Sequence, residues 1–248
     1  MAIDKIQAES INLADTFAFT GTVSGTPTSP SFKNIIINGD MSIAQRGTSA
    51  TGKTTDGYYT LDRYQFAISS LGTWTFTQST DVPSGQGFGY SQKADCTTAD
   101  ASPSAGDRIL YRQSFEGQNL QHLKKGTSSA ESLTLSFWVK SNKTGTYIVE
   151  FYDHDNSRHI NKSYTISSAS TWEKKTITID GDTTGAFTND NNLSLHVAWW
   201  LGAGSTYTSG SLQTSWGSAT NANRAVGQVN LADSTSNEWY ITGLQLEV

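Results

Sequence analysis

The first candidate for chemistry is the stretch GTSATGKT at residues 47–54, whose residue types and spacing match a phosphate-binding loop. In the pattern G-x-x-x-x-G-K-T, backbone N–H groups and the lysine hold the phosphates of a nucleotide. A working loop of this kind follows a buried parallel strand and leads directly into a helix. Here Gly57 and the β-favouring Tyr58 come soon after the lysine and oppose a helix. The match therefore indicates a turn rich in glycine and threonine, with Lys53 exposed to solvent.

The second candidate is the segment YDHDNSRH at residues 152–159, which contains two histidines and two aspartates. Such residues near one hairpin could bind a metal ion. The spacing fits no helix-based metal site, and Asp-His-Asp-Asn-Ser is also typical of a solvated turn. The turn is the favoured interpretation, so no metal ligand is predicted. His196 lies in the middle of a predicted strand, on its polar face or hydrogen-bonded in the core.

A pair of carboxylates could cleave a glycosidic bond, but no acidic residue of the chain stands in a recognisable catalytic context. No G-x-S-x-G elbow and no cysteine–histidine nucleophile is evident either. The sequence therefore predicts that the protein is not an enzyme and has no catalytic residues, with glycan cleavage as a weaker alternative. The acidic residues considered are Asp62, Glu116, Glu131, Glu150, Glu173 and Glu238.

Two polar segments could ligate calcium through oxygen atoms. They are DGDTTG at residues 180–185 and NDNN at residues 189–192. Plain loops are the favoured interpretation. The prediction is therefore that the protein has no cofactor, with a structural calcium ion as the alternative.

The aromatic residues offer a different kind of site. Neighbouring residues of a strand point to opposite faces, so one of Trp199 and Trp200 is expected to leave the core side. An exposed ring would be a platform for the apolar face of a sugar; alternatively, a loop or another chain covers it. The long irregular segment 202–236 has Tyr207 and Trp216 as its possible anchors. These four aromatic residues are the glycan-binding candidates, and Trp200→Ala or Trp216→Ala should then abolish binding without changing the melting temperature.

The composition limits the classes of protein that fit. The 248 residues include 16% charged residues, and the formal net charge is −5. Nucleic-acid binding needs a basic face, so it is not expected. The chain contains no apolar run of the ~18 residues that a membrane-spanning helix requires, so no membrane insertion is expected. Cys96 is the single cysteine, which rules out an intramolecular disulfide framework.

Alternating patterns predict about ten to twelve strands separated by turn signals. In RILYRQSFE, for example, Ile109 and Tyr111 alternate with Leu110 and Arg112. This pattern predicts an all-β sandwich or barrel occupying residues 33–248. The predicted strands include KNIIIN, YYTLDRYQFAI, GTWTFTQS, RILYRQSFE, SLTLSFWVK, GTYIVEFYD, RHINKSYTI, WEKKTITID, LSLHVAWWL and NEWYITGLQLEV. The one predicted helix is the short GQNLQHLKKG.

Residues 1–32 differ from the rest of the chain. Pro27 and Pro30 disfavour both helix and ladder pairing around them. The segment is predicted to be an extended arm that becomes ordered against a partner, with a flexible tail as the alternative. The residues that would dock on a neighbouring chain are apolar: Ile11, Leu13, Phe17 and Phe19.

Seven segments occur in an order that resembles bacteriophage virion proteins, especially tail-fibre and tail- or head-appendage proteins of marine and cyanobacterial phages. They are NIIINGDMSIAQRGTS, LDRYQF, RQSFEGQNL, LTLSFWVKSNKTGTY, WEKKTITIDGDTTG, AWWLGAGSTY and STSNEWYITGLQLEV. The resemblance covers residues 34–248, although relatives usually have tryptophan at the place of Tyr64. It implies a jelly-roll β-sandwich similar to carbohydrate-binding modules.

The same resemblance implies a structural role on the virion surface, as a tail fibre or as a head or tail decoration. With only a short arm in front of the sandwich, a compact appendage is expected, anchored by its arm to other virion proteins of the capsid or tail. The resemblance also implies a homotrimer and adsorption to host glycans. The alternative that needs no virion is a stand-alone carbohydrate-binding module.

Overall fold

The structure of the protein is a computed structural model that describes residues 34–248. Within these residues the chain forms twelve β-strands and one short α-helix, α1 (Ser205–Thr208). The strands are β1 (Ser49–Lys53), β2 (Tyr64–Ser69), β3 (Thr73–Ser79), β4 (Ser91–Thr98), β5 (Arg108–Glu116), β6 (Leu133–Ser141), β7 (Gly145–Asp153), β8 (Arg158–Ile166), β9 (Glu173–Ile179), β10 (Leu193–Ala203), β11 (Gly217–Ser218) and β12 (Glu238–Glu247).

The strands form two six-stranded sheets in which every neighbouring pair of strands is antiparallel. The first sheet has the order β1-β3-β4-β12-β6-β9, and the second sheet has the order β11-β8-β7-β10-β5-β2. The chain crosses repeatedly between the sheets. From β5 in the second sheet it passes to β6 in the first, to β7 and β8 in the second, to β9 in the first, to β10 and β11 in the second, and to β12 in the first. The protein is therefore an all-β jelly-roll sandwich, as the sequence predicted.

Large aromatic side chains fill the space between the sheets. Phe66 of β2 stacks on Phe76 of β3, with ring centroids 3.5 Å apart. Phe137 of β6 meets Trp199 of β10 edge to face at 5.7 Å. These four rings have at most 2% of their surface exposed. The period-2 alternation that predicted the strands therefore also predicted which side chains would face the partner sheet.

Three predicted elements differ from the structure. Residues 34–38 form no strand, and residues 36–38 are bends, although Ile35 N donates a hydrogen bond to Leu246 O at 2.8 Å. The strand predicted from Tyr59 onward begins only at Tyr64, because residues 61–63 form a turn. The predicted helix at GQNLQHLKKG is two short 3-10 turns. The polar strand β4 was missed because SQKADCTT has only two buried apolar side chains, Ala94 and Cys96.

The stretch 47–54 contains a strand where a turn was predicted. Residues 49–53 form β1, which pairs antiparallel with β3 at the edge of the first sheet. Its register is interrupted between Ala50 and Lys53, and Gly52 has a φ of +66° within this irregularity. The Lys53 ammonium lies 4.9 Å from the centre of the Tyr59 ring and is half-buried, so it is less exposed than expected. Neither a parallel strand before the stretch nor a helix after it is present among the described residues, so the elements of a phosphate loop are lacking.

The predicted arm at residues 1–32 lies outside the described residues. The same holds for the docking candidates Ile11, Leu13, Phe17 and Phe19. Within residues 34–248, no helix is long and apolar enough to cross a membrane.

Candidate functional site

The candidate site lies on the outer face of the second sheet. Because side chains alternate along each strand, the residues between the core positions of β2, β5, β7 and β10 point away from the first sheet. The polar residues on this outer face include Gln65, Arg112, Glu150, Tyr152 and His196. Strand pairing places them side by side, since Arg112 is opposite Gln65 on one side, and Tyr152 is opposite His196.

A long segment covers one half of this face. Residues 204–228, called the covering segment below, contain α1 and β11 and cross over β7, β8 and β10. Tyr207 packs against Trp200 with ring centroids 5.3 Å apart, and Ala225 is buried in the same small apolar cluster. Gln228 accepts a hydrogen bond from Ile148 N at 2.8 Å, which fastens the end of the segment to β7. The other half of the face, over β5 and β2, is less covered and is called the open half below: Gln65, Arg112 and Ser114 are half-buried there. Ala67 and Leu110 of the same half are buried in the small apolar cluster.

The covering segment is tied to the sheet by a buried ion pair. Arg224 donates two hydrogen bonds to Glu150, from Nε to Oε1 at 2.6 Å and from Nη2 to Oε2 at 2.9 Å. The Glu150 side chain is fully buried. Burial alone would raise the pKa of Glu150, but Arg224, His159 and His196 outweigh that effect and hold the pKa well below its ordinary value. Glu150 is therefore a structural carboxylate, unavailable as a general acid.

Two histidines form a pair at the boundary between the covered and the open halves. His154 Nε2 lies 2.8 Å from His196 Nδ1, and His196 Nε2 lies 3.5 Å from Glu150 Oε2. Burial, His196 and Arg112 lower the pKa of His154 to about 4. Burial also lowers the pKa of His196, although Glu150 partly opposes this shift. Both rings are therefore neutral near pH 7 and can donate or accept hydrogen bonds.

An open cavity of about 330 Å³ lies beside the last residues of β5, Ser114 to Glu116, and we call it the β5 cavity. Its apolar lining includes two unusually exposed side chains, Tyr58 at 44% and Leu193 at 37%. Its polar lining includes Arg63, Ser114 and Glu116. The volume is at the small end of the range for small-ligand pockets. An exposed aromatic ring beside several hydrogen-bonding groups suits a ligand with one apolar face and many hydroxyls.

Arg112 lies beside the β5 cavity, two residues from Ser114 on the same face of β5, which is about 7 Å along the strand. Its Nε donates to Gln65 Oε1 at 2.8 Å. Within residues 34–248 its two Nη groups have no hydrogen-bond partner, and Arg112 belongs to no ion pair. Burial lowers the pKa of Arg112; Asp56 and Tyr58 oppose this effect, while other arginines of the face add to it.

The structure does not bring the four predicted glycan-binding residues to one exposed site, and only Trp200 and Tyr207 pack against each other. Trp199 faces the inter-sheet core and Trp200 faces outward, as expected for neighbours in a strand, yet both are fully buried. The covering segment shields Trp200, so the alternative of a covering loop is the one observed. Tyr207, at 6% exposure, belongs to that cover. Trp216 is half-buried elsewhere, where its Nε1 donates to Asp180 O at 2.8 Å. In this arrangement Trp199, Trp200 and Tyr207 offer no exposed ring face to a sugar.

The DGDTTG segment, considered as a calcium loop, surrounds a lysine. Lys125 Nζ lies 2.5 Å from Asp153 Oδ2 and 3.0 Å from Asp182 Oδ2. It also donates to the carbonyl oxygens of Thr184 and Gly185 at 3.2 and 2.6 Å. The oxygens of this loop therefore converge on an ammonium group. Arg158 Nε adds a second cation, 2.8 Å from Asp182 Oδ2.

The metal interpretation of residues 152–159 also finds no support. Asp153 faces Lys125, and Asp155 accepts a hydrogen bond from Thr188 N. Across residues 34–248, no group of three or more His, Cys, Asp or Glu side chains is arranged to hold a metal ion. Arg112, Arg224 and Gln65 are candidate functional-site residues that were not predicted from the sequence. The available signal was an arginine at an outward position in the middle of a strand, between Leu110 and Ser114.

Comparisons with known proteins concern only the arrangement of the strands. No protein-family model matches the chain, and no curated protein matches it in sequence. Among solved structures, the enzymatically active domain of tailspike protein 4 from bacteriophage CBA120 is similar, with 12% identity and a TM-score of 0.43. The match covers 86% of this chain and 21% of the tailspike chain, so this chain spans about a fifth of that protein's length.

Two structures from Clostridium thermocellum are also similar. One is a family 11 carbohydrate-binding module in complex with a β-1,3-1,4-mixed-linked tetrasaccharide, with 12% identity, a TM-score of 0.37, and coverage of 80% of this chain and 96% of that chain. The other contains the CBM22-1 and GH10 modules of xylanase 10B with xylohexaose, with 10% identity, a TM-score of 0.37, and coverage of 80% and 28%. Similarity at this level carries no argument about function, which must come from the residues of the site.

Proposed function

We propose that this protein is a non-catalytic glycan-binding module whose ligand occupies the open half of the outer face of the second sheet. The observation that carries the proposal is the β5 cavity, where the exposed Tyr58 ring stands beside the hydrogen-bonding side chains of Arg63, Ser114 and Glu116. A sugar unit has an apolar face for the ring and hydroxyl groups for the polar side chains.

The proposal also fits the rigidity of the surrounding structure. Ser114 and Glu116 lie on β5, which pairs with β2 and β10 on its two sides. A site on paired strands keeps its geometry before the ligand arrives, so little conformational entropy is lost on binding. Glu150 is excluded as a general acid for glycan cleavage, because Arg224 holds it ionised and the covering segment seals it.

Binding to an array of surface glycans, followed by titration calorimetry on any hit, tests this function. Tyr58→Ala should weaken binding about tenfold or more, which corresponds to about 1.4 kcal/mol, with an unchanged melting temperature. Tyr90→Ala is the matched control, because Tyr90 is similarly exposed, at 40%, but precedes β4 of the first sheet. Equal affinities of the two variants would contradict a ligand at the β5 cavity.

We further propose that the module acts on the surface of a bacteriophage particle, anchored by residues 1–32 to other virion proteins. The sequence resemblance to virion appendage proteins supports this role, and the jelly-roll fold is consistent with it. Deletion of residues 2–32 should leave glycan binding intact and abolish incorporation into particles. Normal incorporation of the truncated protein would exclude the anchoring role. Particle imaging would also show whether the protein sits on the head or the tail and whether it is a homotrimer.

A further inference from the structure

The charges on the outer face of the second sheet are unevenly compensated. Arg108, Arg112 and Arg224 lie over the middle of this face, and two further arginines, Arg46 and Arg63, line the β5 cavity. Arg224 is neutralised by Glu150, and Arg108 Nη1 donates to the hydroxyl of Tyr207 at 2.5 Å. Arg112 has only the neutral Gln65 amide as its partner within residues 34–248. A half-buried guanidinium without a hydrogen-bonded carboxylate is unusual, because partly desolvated charges are normally paired.

The neighbours of Arg112 include two other positive charges, which disfavour its protonated form. Arg108 and Arg224 are near enough to lower its pKa, and Asp56 is the carboxylate that opposes them. Asp56 is itself engaged, since its Oδ1 accepts a hydrogen bond from Ile68 N at 2.7 Å. On the other side, the positive charge of Arg112 lowers the pKa of both His154 and His196. The open half of the face therefore carries the Arg112 charge, whose nearest opposing carboxylate is Asp56.

Both Nη groups of Arg112 are without a hydrogen-bond partner within residues 34–248. Its Nε is used by Gln65, so the two Nη groups remain for a ligand. A guanidinium binds carboxylate and sulfate groups through parallel N–H···O bonds, which a neutral hydroxyl cannot accept in the same way. Glu116, the carboxylate that lines the β5 cavity, lies four residues along β5, about 13 Å from Arg112. An anionic group at Arg112 is thus well separated from it.

We propose that the ligand of this site is an acidic glycan, whose carboxylate or sulfate group pairs with the free Nη edge of Arg112 while a neighbouring sugar unit occupies the β5 cavity. This inference rests on the proposed glycan-binding function and adds the chemical class of the ligand to it. The spacing supports the arrangement, because Arg112 and Ser114 are about 7 Å apart along β5. An oligosaccharide could therefore contact both at once.

Matched pairs of ligands test whether the site prefers an acidic glycan to a neutral one. One pair is a uronic-acid-containing oligosaccharide and its carboxyl-reduced, neutral form; the other is a sulfated oligosaccharide and its desulfated form. The acidic member of at least one pair should bind tenfold or more tightly than its neutral form, and its affinity should fall with increasing salt. The pair that shows this preference identifies the anionic group as carboxylate or sulfate.

Variants assign the preference to Arg112. Arg112→Gln should reduce the affinity for the acidic ligand about 10- to 100-fold, as expected for the loss of a charge-assisted hydrogen bond, and should change the affinity for the neutral form less than threefold. Arg112→Lys should retain part of the preference, because it keeps the charge without the planar guanidinium. Lys174→Gln is the control, since it removes one positive charge from an exposed position of β9 in the first sheet.

The outcomes distinguish the two levels of the proposal. If wild-type protein binds the acidic and neutral members of both pairs equally, the inference about the ligand class is wrong while the glycan-binding function stands. If a preference exists but survives Arg112→Gln, the role of Arg112 is wrong. If no glycan binds, both the function and the inference fail. Melting temperatures of all variants verify that each is folded, and the wild-type ligand pairs decide the matter even if Arg112→Gln does not fold.

Discussion

The Arg224 guanidinium donates two hydrogen bonds, of 2.6 and 2.9 Å, to the buried Glu150 carboxylate. This ion pair joins the covering segment to the centre of the second sheet. The guanidinium also lies 5.1 to 5.6 Å from the ring centres of Tyr152, Trp200 and Tyr207. One side chain therefore connects an ion pair with an aromatic cluster. The covering segment keeps Trp200 buried as long as this connection holds.

Arg224→Met should reduce the free energy of unfolding by about 3–5 kcal/mol, because it leaves the Glu150 charge buried without its partner. The double variant Glu150→Gln, Arg224→Met should be less destabilised than Arg224→Met alone, since no buried charge then remains. Denaturant unfolding measures both values. Arg46→Met is the control: Arg46 pairs with Asp62 at an exposed position, where about 1 kcal/mol or less is expected. Equal losses for Arg46 and Arg224 would contradict the assignment.

Stability should fall as the pH is lowered from 6.5 towards 4. The pKa of His154 is about 4 in the folded protein, against an ordinary value of 6.5. Between pH 6.5 and pH 4, His154 is protonated in the unfolded chain but stays neutral in the folded protein. Acidification therefore favours unfolding in this pH range. Melting temperatures at intervals of half a pH unit measure the effect. His154→Gln should flatten the curve between pH 6.5 and 4.5, and an unchanged slope would show that His154 does not contribute.

Trp200→Ala should destabilise the protein by about 3–5 kcal/mol, because it empties a buried volume under the covering segment. This outcome differs from the sequence-based expectation that the melting temperature would stay unchanged. Tyr90→Ala serves as the reference for an exposed aromatic residue and should cost little. A Trp200→Ala variant that melts like wild type would show that the ring is not packed as described.

Lys125→Met should also cost about 3–5 kcal/mol, since the ammonium neutralises the buried carboxylates of Asp153 and Asp182. Lys124→Met offers a control at the adjacent position, because Lys124 forms an exposed ion pair with Glu131. Thermal unfolding of both variants gives the comparison. A similar melting temperature for Lys125→Met and wild type would mean that Lys125 is not needed to stabilise the carboxylates of Asp153 and Asp182 in the folded protein.

The strands with strong alternation could be predicted from sequence, and β5 is the clearest case. Ile109, Tyr111 and Phe115 face the core there, and Arg112 faces outward, as the pattern indicated. Strand β4 could not be predicted, because its burial comes from its position between β3 and β12 and its residues are mostly polar. The alternation of residues along a strand shows which side chains share a face, but it does not show which other strands lie beside that strand in the sheet.

The candidate site was harder to predict for the same reason. Whether Trp200 is exposed depends on the path of the covering segment, which has little periodicity of its own. The pairing of Arg224 with Glu150 joins residues 74 positions apart in the chain. Likewise, the lack of a hydrogen-bonded carboxylate at Arg112 is a property of the assembled sheet. No local pattern carries that information.

The position of β12 has a consequence for how the protein is made. This strand, at residues 238–247, lies in the middle of the first sheet and pairs with β4 on one side and β6 on the other. Until it is in place, the facing edges of β4 and β6 lack their partner, and the core lacks Trp239, Ile241 and Leu246. A ribosome must therefore synthesise the chain through residue 247 before the sandwich can close. Products of premature termination would expose two unpaired strand edges, which are sites for aggregation and proteolysis.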